Sequence, residues 1–338
     1  MNSRERVLAV LRGEPHDRPA LMPITMMFAA RHIGARYGQY ALDYRILTEA
    51  QLRTAADYSF DHVSAITETR EAPDCGAAIR CFEDQPYALD EQRAVLSDKD
   101  VLKGMILPDP LQSRHMSDRL QGIALLKERT AGDKIVEGWV EGPCGAAADL
   151  RGINTLMLDF FDHPGFVREL FDFVLALALR FAAAQRDAGA EIMGVGDPAA
   201  SLIGPRFYRD FVQPWQKKLV DGLHDLGLFV RLHICGDTRR ILAGIRELGC
   251  DIVDIDSRVP LDEARRALGA DQLLLGGIDP VRLLQNGTPE RIRAALEECR
   301  RQAGPRHILG AGCEVPPDTP PENMRVLAGF ARSAPGSM

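Results

Sequence analysis

From residue 134 onward the chain alternates short apolar runs with stretches of helical spacing, and glycine stops most of the helices. Strands are predicted at 134–140, 191–195, 229–233, 252–255, 273–275 and 307–309. Helices are predicted at 166–188, 208–226, 238–248, 260–268, 289–302 and 322–331, with Gly189, Gly227, Gly249 and Gly269 closing four of them. Strand alternating with helix in this way is the signature of βαβ units and a parallel sheet.

The N-terminal half extends the pattern less regularly. Residues 3–12 read as a helix with Val7, Leu8 and Leu11 on one face and Gly13 as its stop, before Pro15 and Pro19. A hydrophobic run at 20–30, broken by Pro23, is the first expected strand. A helix at 46–58 and a second strand at 62–67 follow. Residues 70–115 are polar, rich in Asp, Glu and Pro, and predict a long surface excursion or lid; a helix at 116–129 leads back to the regular part.

About eight strands result, and two closures accommodate them: an open doubly wound sheet, or a (β/α)8 barrel with an N-terminal helical extension. The count favours the barrel, and no Gly-x-Gly-x-x-Gly follows an early strand to suggest a dinucleotide crevice. The expectation is an α/β fold, a single TIM-type barrel domain over residues 1–338. A chain of 338 residues would otherwise suggest two domains, but no composition shift marks a boundary.

Charge and hydropathy exclude several function classes. A net charge of -7 without a Lys/Arg cluster speaks against nucleic acid as a partner. The longest apolar run, 173–179, is too short to span a bilayer, and the N-terminus leads into an amphipathic segment where a signal peptide would have an apolar one. A cytoplasmic location is expected. Seven scattered cysteines suggest reduced thiols, some buried as small hydrophobes and a few free to act as ligands.

In a barrel the carboxyl ends of all strands open onto one face, where the active site lies. Those ends carry Glu141, Asp197, His233 with Cys235, Asp256, Asp279 and Cys313. The strand period of two puts His233 and Cys235 on one face, with Leu232 and Ile234 on the other. An isolated His-x-Cys has a bland reading too, because cysteine is among the most buried residue types. Cys313, at a second strand's end, completes one nitrogen and two thiolates, a set that suits zinc and leaves a fourth position open. Asp256 is a candidate for that position in the resting state. Asp197 and Glu141 are candidate catalytic residues, each with a turn-forming alternative, and Glu314 could orient a ligand or lie solvated in its loop. Asp279 reads as a turn residue and the remaining cysteines as core.

At these residues the chain resembles the uroporphyrinogen decarboxylase superfamily, and within it the zinc-dependent methylcobamide:coenzyme M methyltransferase branch. The resemblance runs from Arg4 to about Ala331. It rests on Arg12-Gly13-Glu14-Pro15-His16-Asp17-Arg18-Pro19, on Gly277-Ile278-Asp279-Pro280, and on residues 312–323, which begin Gly312-Cys313-Glu314-Val315-Pro316-Pro317. The branch implies His233, Cys235 and Cys313 as zinc ligands, with an acidic residue about twenty positions after His-x-Cys completing the shell. Asp256 matches that residue loosely, since relatives have Glu there.

The decarboxylase branch implies an arginine-rich loop and an aspartate near the second strand. Here Arg31-His32-Ile33-Gly34-Ala35-Arg36-Tyr37 is one residue longer than that loop, and Thr67-Glu68-Thr69 offers no aspartate.

The resemblance implies a corrinoid-dependent methyltransferase that uses zinc to activate a small-molecule methyl acceptor, a thiol or a tetrahydrofolate. No Asp-x-His-x-x-Gly signature for binding a corrinoid is present, so the methylcorrinoid (cobalamin-type) substrate is expected on a separate corrinoid protein. A metal-free tetrapyrrole decarboxylase and a non-catalytic corrinoid-binding barrel are the alternatives. The oligomeric state is left open.

Overall fold

In the computed structural model the strands come in chain order as β1 (His62–Ser64), β2 (Ile79–Arg80), β3 (Ala88–Leu89), β4 (Ile135–Glu141), β5 (Ile192–Gly196), β6 (Phe229–His233), β7 (Ile252–Ile255), β8 (Leu273–Gly276) and β9 (His307–Ile308). The structure describes residues 1–68 and 71–336; Thr69, the last residue of the Thr67-Glu68-Thr69 stretch, and Arg70, the first of the predicted excursion, lie outside the described residues.

Seven of these strands form one parallel sheet in the order β1-β4-β5-β6-β7-β8-β9, each pairing with its neighbour in the chain, while β2 and β3 form a separate antiparallel pair. The parallel sheet is curled, and a short segment joins its two edges. Leu21 bridges Leu309, with Met22 N donating to Leu309 O at 2.9 Å and Leu309 N to Ala20 O at 2.9 Å. On the other side Asp61 N donates to Leu21 O at 3.0 Å. The first barrel position is thus held by a single bridge, where the sequence predicts a strand over 20–30. Pro19 and Pro23 bracket it and remove backbone donors, and the chain turns into the helix Met27–His32.

Alternation along each strand sorts its side chains between two cores. Val136, Met193, Val230, Leu232, Val253 and Leu274 belong to the large cluster under the surrounding helices. Ile135, Ile192, Ile252, Leu273, Leu275 and Ile308 point the other way and meet Val7 and Val10 of the helix Ser3–Arg12. That helix stoppers the amino-terminal end of the barrel. Asn2 caps it through a reciprocal bond with Glu5, and Gly13 ends it in the left-handed region. Full burial of each valine contributes about 1.5–3 kcal/mol.

Elsewhere the structure refines the sequence expectations. Strands at 229–233 and 252–255 have the predicted bounds. The helices Pro143–Arg151 and Ile153–Asp162 add to the predicted set; the first is alanine-rich with little apolar periodicity, whereas the second has Leu156 and Phe160 on one buried face, a helical spacing that the sequence reading missed. The predicted helix at 208–226 starts as a π-helical turn, Tyr208–Val212, before Gln213–Asp225. The polar excursion carries the β2/β3 pair and short helical turns at Glu71–Asp74 and Lys99–Gly104. Among the described residues no helix is long and apolar enough to cross a membrane.

Candidate metal centre

His233 is the last residue of β6, and Cys235 follows two positions later on the same face. Cys313 comes from the loop after β9, which is stitched in from both sides. Gly312 N donates to Ile278 O at 2.8 Å, and Val315 N to Ile24 O at 2.9 Å. A Cβ on Gly312 would lie 2.3 Å from Ser257 N, so only glycine lets this loop approach the end of β7 closely enough.

The three side chains converge. His233 Nε2 lies 3.0 Å from Cys235 Sγ and 3.6 Å from Cys313 Sγ, and the two sulfurs are 3.7 Å apart. These atoms all lie within 4.8 Å of one another, and among the described residues no other group of His, Cys, Asp or Glu does so. Tetrahedral zinc, with Zn–S near 2.3 Å and Zn–N near 2.0–2.1 Å, would hold two sulfurs about 3.8 Å apart and a nitrogen about 3.6 Å from each. The two edges at Cys313 match that geometry, while the 3.0 Å edge between His233 and Cys235 is a hydrogen-bond contact that would open by about 0.6 Å around a zinc ion.

The electrostatics favour thiolate. Hydrogen bonds from Cys235 and His233 hold the Cys313 thiol down at about 5 against the effect of burial, while the proton shared with Cys313 and burial push Cys235 up. Burial opposes charging of His233, but Asp254 and Cys235 outweigh it and hold the imidazole above the usual histidine value.

Two cavities meet at these thiols. The outer one, of about 1030 Å³, opens at the carboxyl end of the barrel and includes Asp149, Leu202, Asp256 and Asp279 in its wall. The inner one, of about 250 Å³, is bounded by Ile66, Trp139 and Val140 and by the carboxylates Glu68, Glu71, Glu141 and Glu314. Glu141, Pro198, Cys235 and Cys313 border both. Trp139 can lie flat only because position 194 is glycine: a Cβ there would sit 2.3 Å from the indole.

The other residues singled out in the sequence fall as follows. Asp256 lies at the rim, but its carboxylate accepts from Gly236 N at 2.7 Å and Arg258 N at 2.8 Å, so it anchors the turn after Cys235 instead of joining the trio. Asp197 is fully buried and accepts from Gly145 N at 2.7 Å, Cys144 N at 3.4 Å and Gln216 Nε2 at 2.8 Å, capping the helix Pro143–Arg151. Burial raises its carboxyl to about 6 despite those donors. Glu141 faces the cavities, and burial, with Asp149, Glu71 and Asp197 nearby, holds its carboxyl well above the ordinary range. Glu314 accepts from Met27 N at 2.8 Å and burial raises it to about 7. Asp279 caps the turn that follows it, accepting from Val281 N and Arg282 N.

Cys144 and Cys250 are buried and Cys75 and Cys299 partly so, whereas Cys81 is exposed and departs from the core expectation. Arg31 and Arg36 pair with Asp84, Asp318 and Glu83.

A charged layer under the trio escaped the sequence reading: Glu137, Arg231 and Asp254, all buried inside the barrel. The signal was the same period of two, since Arg231-x-His233-x-Cys235 and Asp254-x-Asp256 each share one face.

The chain is similar to known proteins over nearly its whole length. The family model for uroporphyrinogen decarboxylase (URO-D) matches residues 2–334. The methylcobamide:CoM methyltransferase MtbA of Methanosarcina mazei is 28% identical over 338 residues, covering 98% of this chain and 97% of the relative. A uroporphyrinogen decarboxylase of Synechococcus is 27% identical, covering 94% and 93%. Among solved structures, a methyltransferase from Methanosarcina mazei superposes with a TM-score of 0.90 at 21% identity, covering 98% of both chains, which identifies the fold as of the TIM type.

Proposed function

This chain belongs to the uroporphyrinogen decarboxylase family, and we propose that within it the protein is a methyltransferase. It moves a methyl group between a corrinoid carried on a separate protein and a small thiol, with His233, Cys235 and Cys313 holding zinc. The observation that carries this reading is the nitrogen-and-two-sulfur triangle at the floor of an open cavity. Relatives from Methanosarcina that are named as methylcobamide:CoM methyltransferases support the chemistry.

Zinc bound at this trio would keep an acceptor thiol deprotonated at neutral pH and so supply a strong nucleophile. The chain's own groups do the rest. The inner cavity receives the acceptor against Ile66, Trp139 and Val140, which exclude water from the sulfur. Glu141, at the junction of the two cavities, takes up the proton that the acceptor S–H loses. Burial and the neighbouring carboxylates raise its proton affinity well above that of an ordinary glutamate. The outer cavity is the approach for the corrinoid. Asp256 and Asp197 act as positioning residues, one holding the turn after Cys235 and the other the helix after Glu141.

A tetrapyrrole decarboxylase would have to hold several substrate carboxylates. Among the described residues that line the inner cavity there is no Lys or Arg, and four are glutamates. The arginines Arg258 and Arg282 lie instead in the wall of the outer cavity, so the inner cavity beside the thiols offers no cation to a substrate carboxylate.

The test is metal analysis of the purified protein together with a transfer assay. About one zinc per chain, lost in Cys235→Ser and Cys313→Ser, and demethylation of methylcobalamin in the presence of thiols are expected. Metal-free protein that is folded, or coproporphyrinogen formed from uroporphyrinogen, would overturn the reading.

A further inference from the structure

Directly below the three ligands lies a layer of charge removed from water. Arg231 is fully buried and grips Asp254 through Nε and Nη2, both to Oδ2, at 3.0 and 2.6 Å. Its Nη1 reaches Glu137 Oε1 at 3.1 Å, and Glu137 Oε2 accepts from Trp139 Nε1 at 3.1 Å. Asp254 also faces the first ligand: its Oδ2 stands 3.5 Å from His233 Nδ1.

This layer is not balanced in itself. Two carboxylates share one guanidinium, and of the two histidines nearby His62, 3.7 Å from Glu137, is held down at about 4 by burial, which leaves His233 as the second basic group that faces the layer. Two buried atoms of the layer lack a hydrogen-bond partner, His233 Nδ1 and Asp254 Oδ1, and they belong to adjoining groups. Buried polar atoms of this kind are rare because each forfeits its bonds to water. Nor does stability explain the arrangement, since buried ion pairs are weak stabilisers compared with apolar packing.

We propose that Asp254 is the positioning residue of the metal centre: it holds His233 with the proton on Nδ1, so that Nε2 presents its lone pair to the two thiols' metal, and the Arg231–Glu137 clamp holds Asp254. The inference rests on the metal reading above. It accounts for the partnerless Nδ1 of His233, whose facing acceptor is the Asp254 carboxylate. Metal-bound histidines commonly carry such a carboxylate on their second nitrogen, and its loss weakens metal binding about 10–100-fold.

The experiment measures zinc affinity of the full-length chain by competition with a chromophoric chelator, for wild type, Asp254→Asn, Asp254→Ala and Glu137→Gln. Melting of each metal-free variant is recorded alongside. Both Asp254 variants are expected to bind zinc about 10–100-fold more weakly, and Glu137→Gln to fall between them and wild type. In cobalt-loaded Asp254→Asn the thiolate-to-metal absorption persists while the ligand-field bands change, because the sulfurs stay and the imidazole turns. A merely structural role would lower melting and leave both affinity and spectrum alone, and that result overturns the proposal. Should the Asp254 variants fail to fold, Glu137→Gln decides by the same affinity criterion. Wild type that binds no zinc would overturn the metal reading, and this one with it.

Discussion

Asp61 holds Arg6 at 2.6 Å, with the carboxylate wholly buried and the guanidinium nearly so. The same carboxylate accepts from Arg18 at 2.8 and 2.9 Å and from Leu21 N at 2.8 Å. One side chain thus ties the stoppering helix, the Arg-Pro turn and the segment that joins the sheet's edges. Removing it takes the buried carboxylate from Arg18 and leaves Arg6 its ion pair with Asp17. Asp61→Ala is expected to lose about 3–5 kcal/mol of unfolding free energy, as for other broken buried ion pairs, measurable by urea denaturation.

Gly194 lies under the Trp139 indole, with no room for a methyl group. In Gly194→Ala the ring must leave its place on the inner cavity wall, at a cost of about 1–3 kcal/mol from overpacking. The chain has two tryptophans, so a shift in intrinsic fluorescence, compared with a Trp215→Phe background, reports the displacement. An unchanged spectrum and unchanged stability would count against the packing described.

Acid should weaken the fold through buried histidine. His307 contacts Gly276 O at 3.0 Å, and burial holds its imidazole down at about 4, against 6.5 for a free side chain. Between those values the unfolded chain binds more protons, so stability rises with pH in this window and is lost as pH falls from about 6.5 toward 4. The full difference amounts to about 3 kcal/mol. Melting curves across this range are expected to show a shallower slope for His307→Gln than for wild type.

The cysteines should separate by accessibility. Cys81 is exposed while Cys144 and Cys250 are buried, so a maleimide reagent read by mass spectrometry is expected to label Cys81 first in folded protein. Cys144 and Cys250 should stay unlabelled until unfolding. With zinc held as proposed, a chelator should add Cys235 and Cys313, the pair whose sulfurs share one proton, to the reactive set.

Local pattern carried most of this architecture. The strands β6 and β7 were legible to the residue because each is an apolar run closed by a polar group at the cavity rim. The barrel's first position was not, because what holds Leu21 in place is a set of distant partners, Leu309 and Asp61, that no window around residues 20–30 contains. The site divided in the same way. His233, Cys235 and Cys313 stand out as residue types at strand ends, and the fold brings them together. Asp256 looked equivalent to them, yet it is spent on two backbone amides, a competition that only the turn geometry reveals. Asp254, two residues earlier, attracted no notice because a charge inside a strand resembles an ordinary interruption until its arginine partner, 23 positions away, is known.

The joining segment also sets when the site can exist. Leu21 reaches its partner at Leu309, and Cys235 meets Cys313 across 78 positions. During synthesis nearly the whole chain must therefore leave the ribosome before either contact forms. Long-range closure of this kind is slow because loop entropy is lost before any contact repays it. The thiols would wait unligated in a partly folded chain, exposed to oxidation or to the wrong metal, until the last strand docks beside the first. Loading of the zinc proposed for this trio would then be coupled to completion of the barrel, and conditions that delay closure would show up as metal-deficient protein before they show up as unfolded protein.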